Sequence, residues 1–333
     1  MNHSPSPETV LASSPTLPLR ADASNAVPAS SAPRSAGGFR AWPADAAGFT
    51  TARMQAIKHS FEAHPQMQLP ELAALAQRLY PHKQCRFVTP GVGQTSEFDH
   101  RDRDSAGRSI DEVFKRIEEP GSWIALYNVE TDPLYAAFLK EVADSVRPFV
   151  EQHEPGMYQV GGFIFISAPP SVTPFHIDRE HNFWLQVRGH KVMSVFDHTD
   201  RELVPAPERE TFILYGQNVR MKTDEHLRRA REFRVGPGDG VYFPSTSPHM
   251  TRCEPGWARP GDGVSISIGV VFYTEETRRQ AYVHACNEFL RRRGLKPQDP
   301  GQAPALDPLK AALGRLLVWV GRKYGGYKPT ASF

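Results

Sequence analysis

The chain has 333 residues, 40% of them hydrophobic and 10% aromatic, which is enough for one large core with additions or for two domains. A formal charge of +2 is too balanced to point to nucleic acid, and without an apolar run of about 18 residues no membrane span is expected. Three widely spaced cysteines, Cys85, Cys253 and Cys286, form neither a disulfide framework nor a zinc pattern and fit a reducing, cytoplasmic setting.

Residues 1–45 are rich in Ser, Pro and Ala and poor in large apolar side chains. Burial there would not offset the entropy of ordering, so a disordered tail is expected. It opens with Ser, Pro and Glu where a secretion signal needs a charged start and an apolar centre. Residues 46–157 read as a helical region with a few strands. Met54, Ile57, Phe61, Leu69, Leu72, Leu75 and Leu79 recur at three- and four-residue spacings, the pattern of an amphipathic core helix across residues 51–80. Residues 86–88 and 123–129 read as short strands. Ser109 with Glu112 three positions on is a capping box. Asp132-Pro133 then opens a helix with Leu134, Phe138, Leu139, Val142 and Val146 on one face.

From Tyr158 the signal changes from helix to strand. Residues 163–166, 173–178, 183–187, 191–196, 241–243 and 264–273 read as strands, with 209–214 and 232–235 as further ones. Arg188-Gly189-His190 is a hairpin turn, and Gly236-Pro237-Gly238-Asp239-Gly240 is a strong turn. Many short strands at regular spacing predict a mainly β core, a barrel or jelly roll, over residues 158–275. Residues 276–333 complete the chain with helices at 274–293 and 305–323. The second is apolar at Leu309, Leu313, Leu316, Leu317 and Val320, so it either packs back on the core or meets a second copy of the chain.

One pair of residues carries metal chemistry. His176 and Asp178 stand in an apolar segment, and in a strand residues i and i+2 face the same side. An imidazole beside a carboxylate suits a divalent metal in the iron range, and His249 is the candidate third ligand of a facial triad. Two other His-x-Asp triplets are set aside: His100 to Asp102 in a charged run, and His198 to Asp200 where a strand gives way to a turn. A triad leaves three positions open, enough for a bidentate keto acid and oxygen. The far carboxylate of such an acid needs a cation and a donor, for which Lys191 and Thr173 are placed. A solvated turn lysine and an ordinary strand threonine remain the plainer readings at this point.

The run Ser171-Val172-Thr173-Pro174-Phe175-His176-Ile177-Asp178, continued through Asn182 to Gly189-His190-Lys191, resembles the core motif of the JmjC and cupin-like 2-oxoglutarate oxygenases. It is especially similar to that of the asparaginyl hydroxylases acting on hypoxia-inducible factor. Residues 236–244 followed by Pro248-His249 are similar to the turn and strand before the family's distal histidine. The resemblance spans about residues 161–273. It implies a double-stranded β-helix, cupin-like, with N- and C-terminal helical flanks. It further implies Fe(II) on His176, Asp178 and His249, and 2-oxoglutarate held by Lys191 and Thr173 with support from Asn182. With O2, such enzymes decarboxylate 2-oxoglutarate to succinate and carbon dioxide while hydroxylating a C–H bond of a protein side chain, peptide or small molecule.

The chain also departs from the family. The family's Asn on the last core strand is replaced at about Gly269, with Ser267 as a substitute, and the substrate elements outside the core do not match. Asparaginyl hydroxylation is therefore not carried over. Trp123, Trp184 and the Gln94-Thr95-Ser96 loop are candidates for the substrate side, against a plainer reading as core and loop. Two other functions stay open: a cupin-like metal or ligand sensor without turnover, and a metal-dependent cupin enzyme without a keto acid.

Overall fold

The computed structural model describes residues 38–88, 109–254 and 263–324, apart from 218 and 222. In chain order the elements are β1 (Ala41–Pro43), β2 (Gln55–His59), α1 (Leu69–Leu79), β3 (Cys85–Val88), α2 (Ile110–Lys115), β4 (Trp123–Leu126) and α3 (Pro133–Glu151). Next come β5 (Tyr158–Ser167), β6 (Ser171–His176), β7 (His181–Arg188), β8 (Lys191–Val195), α4 (Ala206–Tyr215) and β9 (Arg231–Val235). Then follow β10 (Asp239–Phe243), β11 (His249–Cys253), β12 (Ser265–Tyr273), α5 (Glu275–Arg291) and α6 (Asp307–Tyr324). None of the described helices is long and apolar enough to cross a membrane.

Strand pairing defines the architecture. β5 pairs with β12, β6 with β11, β7 with β10, and β8 with β9, all antiparallel. This nested order is that of a long hairpin ribbon wound on itself. Winding divides the strands between two sheets, β5, β7, β10 and β12 in one and β6, β8, β9 and β11 in the other. The core is thus a double-stranded β-helix, a jelly roll. The first sheet grows to eight strands in the order β1-β2-β10-β7-β12-β5-β4-β3.

The two faces of that sheet follow from alternation along its strands. On β12, Ile266, Ile268, Val270 and Phe272 join Phe183, Leu185 and the buried face of α3 in the largest apolar cluster. Ser265, Ser267 and Gly269 therefore face the opposite way, into the space between the sheets. On β8 the inward set is identified by Met193 and Val195, which pack with Trp184, Val241 and Phe243 in a cluster between the sheets. Outside the second sheet, Phe175, Phe196 and Met250 form a third cluster with Leu203 and Val204.

The structure differs from the sequence reading at several places. Ala41–Pro43, expected in the tail, is an edge strand, and Ala41 N–H donates to Ser145 Oγ at 3.0 Å. Residues 55–59, read as helix from the spacing of Met54, Ile57 and Phe61, form β2, which pairs with β10. Ile57 and His59 are both buried, which is strand periodicity, and the helix begins only at Leu69 with Pro70 in its first turn. Residues 209–214, expected as a strand, lie in α4. Pro207 occupies its first turn, and Gly216, at φ 69°, terminates it in the left-handed region. Residues 173–178 do not form one strand: β6 ends at His176. Leu134 is 55% exposed, and Tyr135 takes its place on the buried face of α3.

α6 lies against α5 through Gly314, where a Cβ would stand 1.8 Å from the Tyr282 carbonyl oxygen, and through buried Val318 and Gly321. Its other face leaves Leu309, Leu313, Leu316, Trp319, Val320 and Tyr324 exposed.

His59 joins β2 to the core. Its Nδ1 accepts from Phe61 N–H at 3.1 Å, so Nε2 carries the proton, 2.9 Å from Gln186 O. Burial pushes its pKa down to about 4, since a second proton would also set Nδ1–H against Phe61 N–H. His198 is likewise pushed down to about 4, by burial and then by the Arg209 charge. The unfolded chain takes up these protons near pH 6.5 and the folded chain does not. Stability is accordingly full above about pH 6.5 and falls as the pH drops toward about 4. His59 alone should contribute on the order of 2–4 kcal/mol to that loss. Urea denaturation at pH 7 and pH 5 measures it, and His59→Asn should flatten the slope.

Candidate metal centre

β6 and β11 carry the two histidines, and the register of that pair is irregular in an informative way. His249 lies opposite His176 and Thr251 opposite Thr173, so between these pairs one residue of β11, Met250, faces two of β6, Pro174 and Phe175. In a regular strand, Thr173 and His176, an odd number apart, would face opposite sheet faces. The extra residue is a bulge beside Pro174, a proline position compatible with interrupted pairing. It lets Thr173 and His176 both take partners on the inward face. His249 lies opposite Val195 and Thr251 opposite Met193, and both partners belong to the cluster between the sheets.

The His176 and His249 ring centroids are 4.1 Å apart. His176 Nδ1 lies 2.7 Å from Pro174 O, and His249 Nδ1 lies 3.0 Å from Ser247 O. Each Nδ1–H donating to a carbonyl directs an unprotonated Nε2 into the site, as a metal-binding imidazole requires. His249 Nε2 is 3.4 Å from Asp178 Oδ2, and burial pushes the His249 pKa down to about 4, which keeps the ring neutral. Asp178 lies beyond the end of β6. Its carbonyl accepts from Thr246 N–H at 2.8 Å, so the loop before β11 holds it in place of a sheet ladder. Ligand atoms of His176, Asp178 and His249 all lie within 4.8 Å of one another, the one such cluster of His, Cys, Asp or Glu among the described residues. Two nitrogens and one carboxylate oxygen on one side form a donor set for a divalent transition metal with open positions.

The remaining residues singled out from sequence fall as follows. Lys191 is in phase with Met193 and Val195, faces inward, and is 2% exposed. Its Nζ lies 3.4 Å from Ser267 Oγ, and it reaches no carboxylate among the described residues. Burial lowers its pKa. Thr173 and Ser267 are buried on the same inward faces. Asn182 is buried too, with its amide 3.1 Å from where a Gly269 Cβ would stand, and its Oδ1 has no hydrogen-bond partner. Gly269 thus makes room for Asn182. Trp184 packs in the cluster between the sheets, and Trp123 lies against Phe165 at 5.9 Å with its Nε1 buried without a hydrogen-bond partner. His198 faces Asp197 at 3.7 Å, while Asp200 pairs with Arg229 at 2.8 Å; that triplet does not converge. His100, Asp102 and the loop at residues 94–96 lie outside the described residues.

Two residues near the cluster had no sequence signal. Tyr127, half-buried, lies close enough for the Asp178 charge to help raise its pKa, after desolvation. Arg86, on β3, stacks over the Tyr127 ring at 4.9 Å, and its Nη1 is buried without a hydrogen-bond partner. Both reach the site through the extra strands of the eight-stranded sheet, and no local motif announces such a long-range neighbour.

No protein-family model matches the chain, and no curated protein sequence matches it. Among solved structures it is similar to E. coli ycfD, at 16% identity over 82% of this chain and 66% of that one, with a TM-score of 0.41. It is also similar to YcfD, a ribosomal oxygenase from Escherichia coli, in complex with cobalt and 2-oxoglutarate. There the identity is 17% over 78% of this chain and 60% of that one, with a TM-score of 0.36. A likeness to the formate complex of Lactobacillus farciminis oxalate decarboxylase covers 34% of this chain and 23% of that one, at 18% identity and a TM-score of 0.22. The chain therefore spans less than two thirds of each of these proteins. The fold itself rests on the strand pairing described above.

Proposed function

We propose that the chain is an Fe(II)- and 2-oxoglutarate-dependent oxygenase of the JmjC and cupin-like class. The observation that carries this reading is an ammonium group, Lys191, buried on the inward face that also bears the histidines, whose one hydrogen bond among the described residues is to the Ser267 hydroxyl. A buried cation is costly unless an anion meets it. Val195, opposite His249, and Lys191 are the two ends of the five-residue strand β8, roughly 13 Å apart at about 3.3 Å per residue. The lysine stem and a five-carbon dicarboxylate together span that interval. One end of the diacid would chelate the metal and the other would meet Lys191 Nζ, Ser267 Oγ and the Thr173 hydroxyl. A monocarboxylate or a bare metal site would not use the lysine.

Depth gives the two ends different roles. Lys191 and Ser267 are at the closed end, whereas the Asp178 side chain is 23% exposed, so substrate would approach from the metal side. His176, Asp178 and His249 would hold Fe(II), which supplies O2 activation coupled to oxidative decarboxylation of 2-oxoglutarate. Asn182 and Thr173 would orient the co-substrate. The reading leaves the substrate as a protein side chain, peptide or small molecule, and its likeness to the hydroxylases of hypoxia-inducible factor stays one of motif. Succinate formation from 2-oxoglutarate with Fe(II) and O2 tests it. Metal binding without 2-oxoglutarate binding would replace it with a metal-dependent cupin enzyme or a sensor.

The exposed stripe of α6 is assigned to a second copy of the chain. Its glycines are used against α5, and the stripe at positions 309, 313, 316, 320 and 324 runs the length of the helix, as a self-complementary two-fold contact needs. The expected result is a dimer in light scattering and a monomer for Leu316→Glu; a monomeric wild type would refute the assignment.

A further inference from the structure

A second cavity, of about 100 Å³, lies behind the loop that carries Asp178. Among its walls are Arg179, which follows Asp178, and Thr246, whose N–H holds the Asp178 carbonyl. The rest of its charged and aromatic-nitrogen lining comes from Arg201, Arg209, His198 and His284. Lys191 does not line it.

Arg209, on α4, is only 3% exposed, and its Nε and Nη2 are buried without a hydrogen-bond partner. Those two groups form one edge of the guanidinium, the fork that grips two oxygens of a carboxylate or phosphate at once. His284, on α5, is 4% exposed, and its Nδ1 is also buried without a partner. The nearby carboxylates are engaged with other groups. Asp299 pairs with Arg201, Glu210 pairs with Arg291 at 2.9 Å, and Glu180 accepts from Tyr273 OH at 2.7 Å. Asp197 accepts from the Thr199 hydroxyl at 2.7 Å, and its side chain is largely exposed. Arginine does not lose its proton in a protein, so burial leaves a fixed positive charge with an unfilled bidentate fork.

We infer that this cavity is an oxyanion site, in which the Nε–Nη2 edge of Arg209 and the ring of His284 bind a phosphate or carboxylate group of a small molecule. The volume fits one such group, being about three times the share of a water molecule in the liquid. Because Arg179 and Thr246 belong to it, an occupant would also brace the loop that positions Asp178.

The test uses the full-length chain free of metal and 2-oxoglutarate, titrated calorimetrically with inorganic phosphate and, separately, with acetate, against chloride at equal ionic strength. One phosphate or one acetate per chain should bind, with the stronger of the two identifying the ligand group. Arg209→Lys keeps the charge and loses the fork, and should bind about tenfold more weakly or worse. His284→Gln serves the same purpose should Arg209→Lys not fold. Lys191→Met, which removes the other buried cation, should leave this binding unchanged. No binding above the chloride control, equal binding by Arg209→Lys or His284→Gln, or loss of binding in Lys191→Met would each overturn the inference. The outcome is independent of whether the chain turns over 2-oxoglutarate.

Discussion

Alanine at His176 or Asp178 is expected to abolish turnover and to remove most of the chain's affinity for Fe(II). Three side chains supply the donor set, so each substitution deletes one of the three ligand atoms that converge within 4.8 Å. Loss of a group that merely supports a ligand costs roughly 10–100-fold in metal affinity, and loss of the ligand itself should cost at least that. The fold should survive. The Thr246 N–H bond to residue 178 is to the backbone, and His176 sits at the end of β6, so neither substitution opens the apolar clusters. His198→Ala is the control, because His198 belongs to a triplet that does not converge. Metal content after dialysis, with circular dichroism for the fold, decides the matter. Wild-type iron content in His176→Ala would sink the metal assignment.

Lys191→Met should weaken 2-oxoglutarate binding about tenfold to a hundredfold while leaving Fe(II) binding nearly unchanged. A charge-assisted contact in a desolvated pocket is worth roughly 1.5–3 kcal/mol, and each 1.4 kcal/mol or so is a factor of ten. Methionine retains length and apolar bulk where Lys191 packs at 2% exposure, so the effect isolates the charge. The variant should even be more stable to urea in the absence of ligand, since it removes a buried cation whose pKa burial already lowers. Lys191→Arg should also bind poorly, because a planar fork cannot replace a point charge so close to Ser267 Oγ. The measurement is an anaerobic titration of the iron complex with 2-oxoglutarate, followed by its metal-to-ligand absorption. Binding as tight as wild type in Lys191→Met would move the anchor elsewhere. Arg86, with its buried free Nη1, would be the next candidate to substitute.

Sequence by itself determined those features that arise from neighbours along the chain. Period-two alternation in Ser265-Ile266-Ser267-Ile268 marks a strand with one small polar face and one apolar face, whatever it pairs with. The capping box at Ser109 and Glu112 and the Asp132-Pro133 helix start are likewise local, and the structure shows both. The start and stop of α4 were legible as well, in Pro207 and Gly216, but the apolar run between them reads equally as a strand when its partner is unknown.

Tertiary structure decided what depends on register between distant segments. Whether Thr173 and His176 face the same side turns on one extra residue opposite β11, some 75 positions away, and a count of residues along β6 gives the wrong parity. Residues 55–59 became a strand because β10 offered a free edge, whose ladder outweighs a helical spacing of three apolar residues. Tyr127, Arg86 and the Arg209–His284 cavity have no motif at all, since each depends on side chains brought together from separate elements. Burial is a property of the assembled packing, and it makes Lys191 and Arg209 unlike any surface lysine or arginine of the same sequence. Their charge is cheap in water and costly between layers of a closed fold, and only the fold says which of the two holds.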